Sequence, residues 1–127
     1  VRLLPGDTPA DARRHFEALA ARAGIEARIE PLLEQEPSPV CPTDSGFYRL
    51  VERLAREFYP SALVTPWLVV AGTDSRHFHA LSDNVLRFTP FELSNEDRES
   101  IHGADERLSA ANYGRMMAFY TRLLSQR

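Results

Sequence analysis

Cysteine is almost absent from this chain: Cys41 stands alone in 127 residues. A lone cysteine excludes an internal disulfide and a cysteine-based zinc site. No apolar run approaches the ~20 residues of a membrane span. No block of like charge stands out, and 15 Lys+Arg against 18 Asp+Glu leave a net charge of −3. That balance speaks against a general nucleic-acid binder and against a polybasic membrane anchor. A phosphate-binding glycine loop, a nucleophile elbow, an internal repeat and a low-complexity tract are all missing. No signal peptide is legible. The opening VRLLPG, without an initiating Met, reads like mid-protein sequence, so residues upstream are expected. What is present suits one folded domain. Hydrophobic residues make up 43% and charged residues 26%. A chain of this size buries roughly 67% of its unfolded surface.

The chain reads as alternating elements. Val1 to Leu4 is a short apolar stretch, closed by the turn signal Pro5-Gly6. Thr8 is placed to cap a helix, with Pro9 first and Asp11 in the first turn. Its stripe is Ala12, Phe16, Leu19, Ala20 and Ala23, and Gly24 is the stop. Ile25, Ala27 and Ile29 alternate with charged residues and predict a half-buried strand. Pro31, Pro37, Pro39 and Pro42 then punctuate a segment that resists regular structure, read as a linker or a long surface loop. Thr43 or Asp44 is expected to cap a second helix with the stripe Phe47, Leu50, Val51, Leu54 and Phe58, ended by Pro60. Leu63 to Val70 and Val85 to Phe88 predict strands. Ser94 to Glu106 is a polar stretch. Ser109 caps a last helix striped by Tyr113, Met116, Met117, Tyr120, Leu123 and Leu124. The order, β-α-β, linker, α-β-loop-β-α, predicts an α/β or α+β class. Both units carry few strands and read as pieces whose partners lie elsewhere.

Polar chemistry gathers in two segments. Gly72 to His79 follows the end of an apolar strand, the edge at which open α/β sheets bind ligands. Gly72 admits a ligand close to the backbone, and Arg76 suits a carboxylate through two parallel hydrogen bonds. His77 and His79 share a face only in a strand, where they would form a metal pair; Asp74 suits a helix cap equally well. In the second segment, Ile101 to Arg107, His102 is a surface histidine or a metal ligand, and Asp105 and Glu106 start a helical turn.

The spelling of these segments adds a family. Val69 to Phe78 (VVAGTDSRHF) and Ile101 to Leu108 (IHGADERL) resemble paired motifs of the dizinc aminoacylase and carboxypeptidase family. PSPVCPTDS at residues 37–45 and VRLLPGDT at residues 1–8 resemble two more, in the same order. The resemblance covers essentially the whole chain. It is nearest the Gly-X carboxypeptidase and N-acyl amino acid hydrolase branch, and only to the C-terminal portion of such proteins. It implies that residues 1–33 are the last β-α-β of an inserted lid, or dimerisation, domain. Residues 34–127 are then the C-terminal part of an α/β catalytic domain.

The resemblance also implies roles. His102 matches a zinc ligand, Arg76 and Arg2 match arginines that bind the substrate carboxylate, and Gly72 and Thr73 match the loop lining that pocket. It implies two zinc ions in a complete enzyme, whose other ligands and general-base glutamate lie upstream. The implied partners are a peptide or N-acyl amino acid with a free carboxylate, the upstream half of the protein, and a second copy joined through the lid. Ala71 departs from the family glycine, Asp105 from its asparagine and Cys41 from its serine. The contrasting expectation is a stand-alone, non-catalytic interaction module, for which the bare strand edges of residues 1–30 are suited.

Overall fold

The computed structural model describes residues 2–32 and 34–126. Val1, in the apolar opening, and Leu33, where the expected domain boundary falls, lie outside the described residues. Four α-helices form: α1 (Pro9–Arg22), α2 (Gly46–Phe58), α3 (Asn95–Ser100) and α4 (Ala110–Leu124). A 3₁₀ turn spans Asp74–Phe78. No helix among the described residues is long and apolar enough to cross a membrane. The chain divides into two compact units, Val1–Cys41 with Leu68–Val85, and Pro42–Trp67 with Leu86–Arg127.

The first unit contains α1. Thr8 caps it through a reciprocal box: Asp11 N donates to Thr8 Oγ1 at 3.1 Å, and Thr8 N donates to Asp11 Oδ2 at 3.0 Å. At the other end Gly24, with φ +65°, closes a Schellman motif. Gly24 N donates to Ala21 O at 3.1 Å, and Ile25 N donates to Ala20 O at 3.0 Å. The expected helix and its stop are therefore in place, but its stripe is uncovered: Phe16 is 39% and Leu19 43% exposed.

The Thr8 hydroxyl and backbone N–H, and then Arg14, hold the Asp11 carboxyl below its ordinary value. A lowered carboxylate pKa contributes stability that is present above the unfolded value of about 3.9 and is lost as pH falls through the folded one. Thr8→Ala is expected to lower stability at pH 7 by about 1 kcal/mol. It should also flatten the acid side of the stability profile. Denaturant unfolding followed by circular dichroism at pH 7 and pH 3 measures both, and an unchanged midpoint at pH 7 would count against the cap.

The second unit holds the core. Ser45 caps α2, with Tyr48 N donating to its Oγ at 3.1 Å; the cap falls one residue after the expected Asp44, where the hydroxyl reaches the N3 amide. Leu54 and Phe119 are wholly buried and Val51 nearly so, with Leu50, Phe58, Leu86 and Leu123 packed around them. Phe119 sits edge-on to Phe58, ring centres 5.4 Å apart, and tilted against Phe88 at 5.5 Å. The α4 stripe is thus turned by about one residue from the expected one. Tyr113, Met117 and Leu124 face outward at 58%, 57% and 79% exposure. Tyr59, at the end of α2, also ties to the rest of the unit: its Oη donates to Pro90 O at 2.6 Å, and Arg115 lies 5.3 Å over its ring.

The strands expected at residues 1–4, 25–29, 63–70 and 85–88 do not form among the described residues. A strand is completed by a ladder to a neighbour, and these segments have none here. Leu63 and Trp67 are 88% and 86% exposed, so the apolar run that reads as a buried strand has no cover.

Candidate functional site

Arg2, Gly72, Thr73 and Arg76 fall within the first unit and His102 within the second. Around Arg76 the chain makes a 3₁₀ turn rather than continuing a strand. Thr73 stands at its N-cap position without a capping bond from its side chain to a backbone N–H of the turn, and Asp74 is the first residue of the turn, so Asp74 is not the cap. Arg76 N donates to Thr73 O at 3.3 Å, and the Thr73 and Ser75 hydroxyls share a hydrogen bond. His77 and His79 lie on this turn and just after it, which removes the strand that a shared face would need. Both ring nitrogens of His79 are buried, away from an approaching ion. A Cβ at Gly72 would meet nothing within 4 Å, so the backbone there is open.

The arginine heads are held in an informative way. Arg13, Arg14, Arg28, Arg56, Arg107, Arg115 and Arg122 each pair with a carboxylate. Arg2 and Arg76 instead donate to neutral acceptors. Arg2 Nη1 reaches Val70 O at 3.0 Å, at the entry to the Gly72 loop. Arg76 Nη1 reaches Gln35 Oε1 at 2.8 Å, and its Nε reaches His77 Nε2 at 3.2 Å. A guanidinium held by neutral groups keeps its charge for an incoming anion.

His102 lies in a short loop clamped at both ends. Its φ of +65° puts it in the left-handed region, unusual for a residue with a side chain. Its N–H donates to Glu106 Oε2 at 3.0 Å, and Gly103 N donates to Ser100 O at 2.8 Å. Glu106 thus closes the loop instead of starting a helical turn. A Cβ on Gly103 would stand 3.0 Å from Ser100 O, so glycine is needed for this close approach.

Before the loop, Ser94 and Asp97 form a capping box on α3. After it, Arg107 pairs back to Glu96 and Asp97. The Ser94 cap, followed by Arg107, holds the Asp97 carboxyl low, and Glu96, then Asp97, holds Arg107 high. Asn112 exchanges two hydrogen bonds with the Glu92 backbone, fixing the approach to α3 against α4. The polar stretch 94–106 hid α3; the Ser-x-x-Asp spacing at Ser94 and Asp97 was the signal for it.

Among the described residues no three His, Cys, Asp or Glu side chains gather as a metal site requires. A catalytic zinc takes about three protein ligands, and His102 offers one. The residues present do not by themselves make a zinc site. Cys41 is half-buried, and burial pushes its thiol up, away from reactive thiolate.

Residues 6–126 match peptidase family M20/M25/M40. The chain belongs to this family. Probable carboxypeptidase S-like 2 of Dictyostelium discoideum is 33% identical over 124 residues, covering 97% of this chain and 24% of the relative. N-fatty-acyl-amino acid synthase/hydrolase PM20D1.1 of Danio rerio is 36% identical over 81 residues, 64% of this chain and 16% of the relative. Human N-fatty-acyl-amino acid synthase/hydrolase PM20D1 is 28% identical over 126 residues, 97% of this chain and 25% of the relative. The chain therefore spans a quarter or less of the length of these relatives. No solved structure matches. His102, Arg76, Gly72 and Thr73 lie inside the span matched to the M20/M25/M40 family; Arg2 precedes it.

Proposed function

We propose that this chain is the C-terminal part of a metal-dependent amide hydrolase. The enzyme releases an amino acid bearing a free carboxylate from a peptide or an N-acyl amino acid. The observation that carries this reading is the family match over residues 6–126, and the names of the relatives supply the substrate class. On this reading residues 1–33 close an inserted lid through which two copies pair. Residues 34–127 complete an α/β catalytic domain. The uncovered runs 25–29 and 63–70 become strands when the upstream portion provides the neighbouring ladder.

The chain's own contribution is binding and positioning. Arg76 and Arg2 take the substrate carboxylate, with Gly72 and Thr73 beside them. Holding that end fixes the direction from which the amide is presented and removes orientational freedom before the reaction. His102 supplies one ligand to a two-zinc centre of the complete enzyme. When bound, the metal ions polarise the amide and acidify a water. The general-base glutamate and the remaining ligands belong to the upstream portion.

The 127-residue chain alone is therefore expected to hold no stoichiometric zinc and to give no turnover of N-acyl amino acids. Joined to its upstream portion it should gain both. Metal analysis and a hydrolysis assay on the two forms provide the test. Turnover by the isolated chain would refute the division of labour. A complete form with neither zinc nor turnover would favour a non-catalytic interaction module.

The carboxylate assignment has its own check. In the complete form Arg76→Lys replaces a planar fork by a point charge. It should lower kcat/KM about tenfold or more for free acids, the size of a lost charge-assisted pair. The corresponding C-terminal amides should change little. Equal losses on acid and amide would remove Arg76 from the carboxylate pocket.

A further inference from the structure

A guanidinium has five N–H donors arranged as a fork, with two edges that offer parallel pairs. In Arg76 the Nε donor is spent on His77 Nε2 at 3.2 Å, and one Nη1 donor on Gln35 Oε1 at 2.8 Å. Nη2 and the second Nη1 hydrogen remain. The Nε donor is thus taken, and Nη2 is the nitrogen of the head left for a carboxylate.

The two acceptors come from different parts of the first unit. His77 is the next residue along the 3₁₀ turn, and Gln35 lies 41 residues upstream in the proline-rich segment. An arginine side chain freed of such partners samples many rotamers, and fixing it costs side-chain entropy. Here that ordering occurs before substrate arrives. Neither partner is a carboxylate, so the head is fixed without being neutralised.

We propose that His77 and Gln35 are positioning residues for carboxylate recognition: they hold the Arg76 guanidinium so that its Nη end meets the free carboxylate of the substrate. This rests on the reading of Arg76 as the carboxylate-binding arginine. It assigns a role to Gln35, a residue outside the recognised motifs, and a non-metal role to His77.

The bond itself is tested on the 127-residue chain by nitrogen-15 NMR of the arginine side chains. The Arg76 Nε–H should exchange with water more slowly than that of Arg28, whose head is largely exposed. His77→Phe, which keeps the ring and removes the acceptor, should abolish the difference. His77→Gln, which restores an acceptor oxygen near the Nε2 position, should recover it.

The function is tested in the complete protein with an N-acyl amino acid and its amide. His77→Phe and Gln35→Ala should each raise KM for the acid about fivefold, the size of one ordinary hydrogen bond, with kcat changed less than twofold. His77→Gln should return KM to within twofold of the parent. If Arg76→Lys raises KM for the acid while His77→Phe and Gln35→Ala leave it unchanged, the positioning role is wrong and the carboxylate reading stands. If Arg76→Lys leaves acid and amide alike unchanged, the carboxylate reading itself fails.

Discussion

Phe119→Ala should unfold the second unit at much lower denaturant, with a loss of about 3–5 kcal/mol. The ring is wholly buried and touches aromatic neighbours on three sides: Phe58, Phe88 and Tyr120, at centre distances of 5.4, 5.5 and 5.8 Å. It also shares the cluster of Val51 and Leu54. Among the described residues the buried apolar side chains are Val51, Leu54, Ala55, Pro90 and Phe119. Truncating the largest of them leaves a cavity where α2 and α4 meet, with little other core to absorb it. Small domains have a total stability of about 5–15 kcal/mol, so the loss takes a large share of it. Tyr113→Ala, on the same helix but 58% exposed, should change stability by about 0.5 kcal/mol or less. Urea titrations of the two variants decide the matter. A Phe119→Ala midpoint within experimental spread of Tyr113→Ala would overturn this account of the core.

If the complete protein is the zinc hydrolase proposed above, its His102→Gly variant should lose zinc and more than about 100-fold of its turnover, while its fold becomes no less stable. Removing a group that merely supports a metal ligand costs 10–100-fold, and deleting a ligand costs at least that. Glycine is the informative replacement because His102 has φ +65°. A side chain there is held against a conformational cost of about 1–2 kcal/mol, which glycine does not carry. The Glu106 contact uses the backbone N–H of residue 102 and survives the change. A purely structural histidine would leave zinc and turnover intact when replaced by a residue its backbone prefers. Backbone strain maintained by the Gly103 approach and the Glu106 bond is the signature expected of a residue kept for its side chain. Retained zinc with full activity in His102→Gly would refute the ligand assignment.

Features set by residues three or four apart were legible in the chain. The Thr8 and Ser109 caps and the Gly24 stop were read correctly, because capping joins a side chain to an amide three positions on. The face of α2 was read from its spacing, apart from Phe47, which is 39% exposed. The six-residue α3 escaped because it is too short to show an apolar period, and only its capping box betrays it. Arg76 and His102 are proposed from the spelling of their motifs, which is also local.

Tertiary structure decided the rest. Which side of α4 is buried depended on α2: Phe119, not Tyr113 or Met117, faces it, and a helix offering apolar residues on two adjoining faces carries no internal reason to choose. Strand character at 63–70 was visible as composition, yet a strand requires hydrogen-bond partners from another segment. Likewise, the type of Arg76 pointed to an anion from the start. That Gln35 holds it from 41 residues away, beside His77 and without a countercharge, followed only from folding, because local rules do not extend to contacts between distant segments.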